Sequence, residues 1–137
     1  MSAVKSCSAL PYVMASIYKK KMGWDEAIIL NSKDSIAEAS SSNIFILKGK
    51  YLYTPSADEA ALPGVCRRMI IETAGNIGLK VQECSLITAD LEDADEIWLT
   101  NAISGIRWVN KLQWTNQNFG FRLAASMTEE LNKKAKS

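Results

Sequence analysis

Asn43-Ile44-Phe45-Ile46-Leu47-Lys48 carries four successive apolar side chains. In a strand, neighbouring side chains point to opposite faces, so this one is apolar on both. It reads as a buried strand that needs cover on two sides. Gly49 and Lys50 follow as a turn. Tyr51-Leu52-Tyr53-Thr54 then returns as the second arm of a hairpin, stopped by Pro55.

Helical patterns supply candidate cover. In residues 8–22, Leu10, Val13, Met14, Ile17 and Tyr18 recur at helical spacing, with Pro11 near the start and Gly23 past the end. A second helix opens at Leu62, Pro63 and Gly64. Its expected apolar stripe is Val65, Met69, Ile70, Ala74 and Ile77, and Gly78 stops it. Near the end, Phe119, Leu123, Met127 and Leu131 step by four. Lys133, Lys134 and Lys136 follow, where positive charge suits the helix dipole. Further β-prone runs lie at residues 27–30, 80–85, 96–100 and 106–110. Strands mixed with helices of ordinary length indicate an α/β or α+β domain, and 137 residues is about one domain of chain.

Composition removes several functional classes. Sixteen basic against fifteen acidic residues leave a net charge of +1, which gives no bulk electrostatic reason to bind nucleic acid or an anionic membrane. With no histidine, the chain alone cannot build a Ser-His-Asp or Cys-His unit or a His-ligated metal site. Cys7, Cys66 and Cys84 are dispersed and odd in number, which suits a reducing compartment better than a disulfide framework. No apolar run approaches the ~20 residues of a membrane span. Met1 to Lys5 lack the apolar core of a signal peptide. The expectation is a soluble, cytoplasmic protein.

Three segments could carry chemistry. Glu38-Ala39-Ser40-Ser41-Ser42-Asn43 reads as a small polar loop entering the buried strand, where a carboxylate could face a cation or a protonated ring nitrogen. Leu62-Pro63-Gly64-Val65-Cys66-Arg67-Arg68 opens a helix, and its first N–H groups at the positive dipole end form a ready anion site. Thr100-Asn101-Ala102-Ile103-Ser104-Gly105 is a small-residue loop after a strand, a frequent ligand position in α/β sheets. Taken singly, each has an ordinary structural explanation: a solvated turn, a water-capped helix start, a plain connection.

The order of motifs is more specific. Lys5-Ser6 and Leu10-Pro11-Tyr12-Val13 come first, then Glu38 with Ser42-Asn43-Ile44-Phe45. Leu52-Tyr53-Thr54-Pro55, Leu62-Pro63-Gly64-Val65-Cys66-Arg67, Ala94-Asp95-Glu96 and Thr100-Asn101-Ala102 complete the series. Over residues 5–109 this succession closely resembles the class IV (fold type IV) pyridoxal-phosphate enzymes. These include branched-chain and D-amino-acid aminotransferases and 4-amino-4-deoxychorismate lyases. The resemblance implies the larger C-terminal, cofactor-binding domain of that fold, a mixed sheet or pseudo-barrel flanked by helices.

It also implies roles. Lys5 stands at the position of the lysine that forms the Schiff base with the cofactor and serves as general base and acid. Glu38 matches the carboxylate that faces the pyridine nitrogen and keeps the ring an electron sink. Val65 and Cys66 match residues whose backbone N–H groups hold the cofactor phosphate. Many relatives have threonine where Cys66 offers only a weak thiol donor. Asn101 and Ala102 match a loop near the phosphate and the substrate carboxylate.

Asn-Ala in that loop looks more like the lyase branch, and Leu10 replaces a tyrosine common in branched-chain enzymes. The expected chemistry is proton transfer at Cα of a small amino-acid-like substrate, ending in transamination or in loss of pyruvate from aminodeoxychorismate. The resemblance further implies a homodimer and another domain of comparable size ahead of Lys5. A fragment of such an enzyme, weakly active or inactive alone, is therefore expected over residues 1–137. A degenerate, non-catalytic homologue acting as a binding or assembly module is the alternative.

Overall fold

The computed structural model describes residues 26, 28–31, 33–39, 42–56, 64–101, 105–112 and 119–136, with backbone only at 38 and 134–136. The expected helix over residues 8–22 lies outside them, as do Lys5, Pro63 and Ala102. Among the described residues there are seven strands: β1 (Ile28–Leu30), β2 (Ile36–Ala39), β3 (Asn43–Lys48), β4 (Tyr51–Pro55), β5 (Lys80–Cys84), β6 (Glu96–Asn101) and β7 (Gly105–Trp108). The same residues contain the α-helices α1 (Val65–Thr73), continued by a 3-10 turn at Ala74–Ile77, α2 (Thr88–Glu92) and α3 (Arg122–Lys136).

The strands form a mixed five-stranded sheet, ordered β5-β4-β3-β6-β7, and a two-stranded sheet of β1 and β2. In the larger sheet only β4 and β5 run parallel, joined through α1 as a crossover needs. The doubly apolar strand is β3, and it lies at the centre with Ile44, Phe45, Ile46 and Leu47 all buried. Gly49 makes the expected turn, at a left-handed φ of 61°.

The alternation along β3 and β6 divides the core. Phe45, Leu47, Leu52, Trp98 and Ile106 face Ile70, Ala74, Ala124 and Met127 of the helices. Ile44, Ile46, Ile97 and Leu99 face Ile36, Ala39, Leu86, Leu91 and Phe119. Full burial of such a side chain contributes about 1.5–3 kcal/mol. The two faces of β3 therefore explain why both layers are needed.

Two details differ from the sequence expectation. Val65 is 58% exposed and does not belong to the buried stripe of α1. The inward positions are Cys66, Ile70, Thr73, Ala74 and Ile77, one residue out of phase with Val65 at ~100° per residue. Glu38 and Ala39 belong to β2 rather than to a loop; Ile29 pairs with Glu38. The polar turn is shorter than expected, closed where the Ala39 N–H donates to the Ser42 carbonyl.

The start of α3 is held by a buried carboxylate. Glu96 accepts the Trp98 Nε1–H at 3.0 Å and the backbone N–H groups of Leu123 and Ala124 at 2.9 and 3.0 Å. Negative charge at a helix N-terminus satisfies otherwise orphan donors and complements the dipole. This contact ties β6 to α3.

Candidate functional site

One end of the larger sheet gathers the start of β3, the ends of β4 and β6, and the start of α1. Asn43 pairs directly with Thr100 across the β3–β6 ladder. Both side chains take the face occupied by Phe45 and Trp98, where α1 packs.

Gly64 caps α1 in an extended conformation, at φ −111° and ψ 156°, with no side-chain cap of its own. A Cβ there would lie 2.5 Å from Asn43 Oδ1, so only glycine lets the helix start come this close to the strand. The first α1 backbone bond runs from the Arg68 N–H to the Gly64 carbonyl. The N–H groups of Val65 and Cys66 lie ahead of it and have no acceptor within the helix. No acidic side chain occupies this first turn. Burial pushes the Cys66 thiol up from its ordinary pKa, so it is protonated at neutral pH and offers a weak S–H donor.

Arg67 does not occupy a solvated helix face. Its Nη2 donates to the Pro55 carbonyl at 3.1 Å and to Glu83 Oε1 at 2.6 Å, fastening α1 to the ends of β4 and β5. Arg68 is exposed.

A second polar group lies across the sheet. Asn101 Nδ2 donates to Ser42 Oγ at 3.2 Å. Arg107 Nη2 donates to the same oxygen at 3.1 Å and pairs with Glu26 at 3.2 Å. Ser42 is buried and thus joins the starts and ends of three strands, β3, β6 and β7.

Among the described residues, three buried side-chain polar atoms have no hydrogen-bond partner: Arg67 Nε, Thr100 Oγ1 and Arg107 Nε. Arg67 lies in the first turn of α1, Thr100 at the end of β6, and Arg107 on β7 beside it. Polar groups elsewhere in the interior are paired in the usual way, as Thr54 Oγ1 is to the Ile44 carbonyl at 2.7 Å.

Of the residues expected to form a site, Val65, Cys66 and Asn101 come to this end of the sheet. The backbone of Glu38 reaches it through the Ala39–Ser42 bridge. Lys5 and Ala102 lie outside the described residues. Asn43 and Thr100 lie within candidate segments of the sequence without a role of their own, and Arg107 lies in none of them. The available signal was the pairing of two polar strand ends, Ser42-Asn43 and Thr100-Asn101, each on a strand otherwise apolar.

Comparison with known proteins gives a consistent result. The family model described as amino-transferase class IV matches residues 1–112. "Probable branched-chain-amino-acid aminotransferase" of Rickettsia bellii is 36% identical over 97% of this chain and 48% of its own length. The aminodeoxychorismate lyase of Bacillus subtilis is 38% identical over 85% of this chain and 41% of its own. Among solved structures, an Escherichia coli branched-chain amino acid aminotransferase superposes with a TM-score of 0.87 at 25% identity, covering 97% of this chain and 46% of that one. The chain thus spans less than half the length of the curated relatives it matches. Class IV aminotransferases use pyridoxal 5'-phosphate. By the family match, the level of identity and the shared fold, this chain belongs to the class IV aminotransferase family.

Proposed function

We propose that residues 1–137 form the cofactor-binding domain of a pyridoxal-phosphate enzyme acting on the amino group of a small amino-acid-like substrate. The observation that carries this reading is the close approach of an uncapped helix start, at Gly64, to Asn43 of β3, whose cross-strand partner is Thr100 of β6. An anion suits that junction. The helix dipole is positive there, the first-turn N–H groups lack helical acceptors, and Gly64 leaves the approach free of a side chain. The orphaned hydroxyl of Thr100 suits a phosphate oxygen as well.

When bound, pyridoxal phosphate supplies the aldehyde that takes up the substrate amino group and the electron sink for charge developing at Cα. In this reading Val65 and Cys66 bind its phosphate through their backbone N–H groups. The Glu38 carboxylate faces the ring nitrogen and holds a proton there. Lys5 attaches the cofactor and then moves the proton at the substrate Cα, a role that requires its neutral amine. Asn101 and Ala102 orient the phosphate and the substrate carboxylate. The bond broken after proton transfer distinguishes transamination from loss of pyruvate, and relatives named for each chemistry match this chain. The reading places the protein in the cytoplasm and, with the rest of its substrate pocket supplied by a further domain, in a homodimer.

The first test is covalent. Borohydride reduction in the presence of pyridoxal phosphate is expected to fix the cofactor on the wild-type chain, with the modified peptide containing Lys5. Lys5→Ala is expected to lose that label; equal labelling of both proteins contradicts the role of Lys5. Pyruvate release from aminodeoxychorismate, set beside amino transfer to 2-oxoglutarate, then separates lyase from transferase.

A further inference from the structure

Thr100 is completely buried, and its hydroxyl makes no hydrogen bond. It is the one hydroxyl in that condition among the described residues. The comparison with Thr54 shows what the interior normally requires. Thr54 is 1% exposed and donates to the Ile44 carbonyl. A buried polar group without a partner carries an uncompensated desolvation cost, so its presence in a native interior calls for an explanation.

Its position supplies one. Thr100 stands opposite Asn43 on the sheet face that α1 covers. Directly paired residues have Cβ atoms about 4.5–5.5 Å apart. Asn43 in turn lies against Gly64, the residue that opens α1. The hydroxyl is therefore one cross-strand neighbour from a helix start of nine residues that carries no acidic side chain in its first turn. At the very start of that turn Gly64 has no side chain, Val65 is apolar and exposed, and the Cys66 thiol is a weak donor, while the Arg67 Nη2 is engaged by Pro55 and Glu83.

We infer that Thr100 is a phosphate ligand, its hydroxyl donating to the anion held by the first-turn N–H groups of α1. The inference rests on the reading of that corner as the cofactor phosphate site and adds a residue to it. In the cofactor-free protein the hydroxyl is orphaned; with phosphate bound it is satisfied. The same side chain should then weaken the empty protein and strengthen the loaded one.

The test compares pyridoxal phosphate with pyridoxal, which lacks the phosphate, in fluorescence titrations of the wild-type chain, Thr100→Val, Thr100→Ala and Thr100→Ser. Wild type is expected to prefer the phosphorylated form. Thr100→Val, close in shape but without the hydroxyl, is expected to bind pyridoxal phosphate about tenfold more weakly with pyridoxal affinity unchanged, because a hydrogen bond to a charged group is lost. Thr100→Ala should lose the same preference, and Thr100→Ser should keep it. Without cofactor, Thr100→Val should melt at the wild-type temperature or above. A valine variant that melts cooperatively and keeps the full preference overturns the role of Thr100 while leaving the phosphate site standing. A wild-type chain with no preference for the phosphorylated form overturns the site itself.

Discussion

Glu96 and Thr100 lie on the same strand, four residues apart and on the same face, and both are buried. Glu96 receives three hydrogen bonds, two of them from the start of α3. Thr100 Oγ1 receives and gives none, although its cross-strand partner Asn43 lies against the start of α1. One strand thus meets two helix N-termini with opposite solutions. At α3 the chain supplies its own anion, and the junction is closed. At α1 it supplies no carboxylate in the first turn and no side-chain cap at Gly64. On the proposed reading, the difference separates a junction closed for stability from one that holds the cofactor phosphate.

Substitutions can break or sharpen that contrast. The largest effect is expected from Glu96→Ala, which strips the partner from the Trp98 indole and from two backbone donors of α3. A loss of about 3 kcal/mol or more in urea unfolding is expected, since each buried donor left unpaired costs about 1–3 kcal/mol. A loss below 1 kcal/mol would mean that α3 is not held by this carboxylate. Gly64→Ala comes next. Its Cβ meets Asn43 Oδ1 at 2.5 Å, and relieving such overpacking costs about 1–3 kcal/mol. The same change should weaken pyridoxal phosphate binding, because it pushes α1 away from β3.

Thr54→Val is the matched partner of Thr100→Val. It breaks the hydrogen bond to Ile44 and should cost about 1 kcal/mol, whereas the Thr100 change should cost nothing in the empty protein. Equal losses at the two positions would erase the distinction between them. The smallest effect belongs to Glu83→Gln. Glu83 is 49% exposed where it meets Arg67, so less than about 1 kcal/mol should be lost, and less again in high salt.

Much of the scaffold was legible in the residues. The doubly apolar run from Asn43 to Lys48 is the central strand, and Gly78 stops the α1 segment at a left-handed φ of 77°. What escaped did so for physical reasons. Strand β2 is only four residues, Ile36-Ala37-Glu38-Ala39, with alanine and glutamate in place of good strand formers. Helix α2 is five residues long, too short for periodicity to register; it is pinned where Asp90 accepts the Ile87 N–H at 2.8 Å. Val65 was placed on the wrong side of α1 because Gly64 and Pro63 mark where a helix starts but not its phase. Of the residues the order of motifs named, Val65, Cys66 and Asn101 lie at the same end of the larger sheet, Asn101 on the face away from α1. Thr100 belongs to that motif series but carries no role in it; it becomes unusual only when neighbouring polar atoms are accounted for.

The central claim is that the start of α1 and the end of β6 form a built anion site. A crystal structure of the chain grown with pyridoxal phosphate tests it most directly. The account predicts phosphate oxygens within ~3 Å of the backbone nitrogens of Val65 or Cys66 and of Thr100 Oγ1, the ordinary range for such bonds. Cofactor phosphate bound elsewhere, with Gly64 to Cys66 facing only solvent, would contradict it.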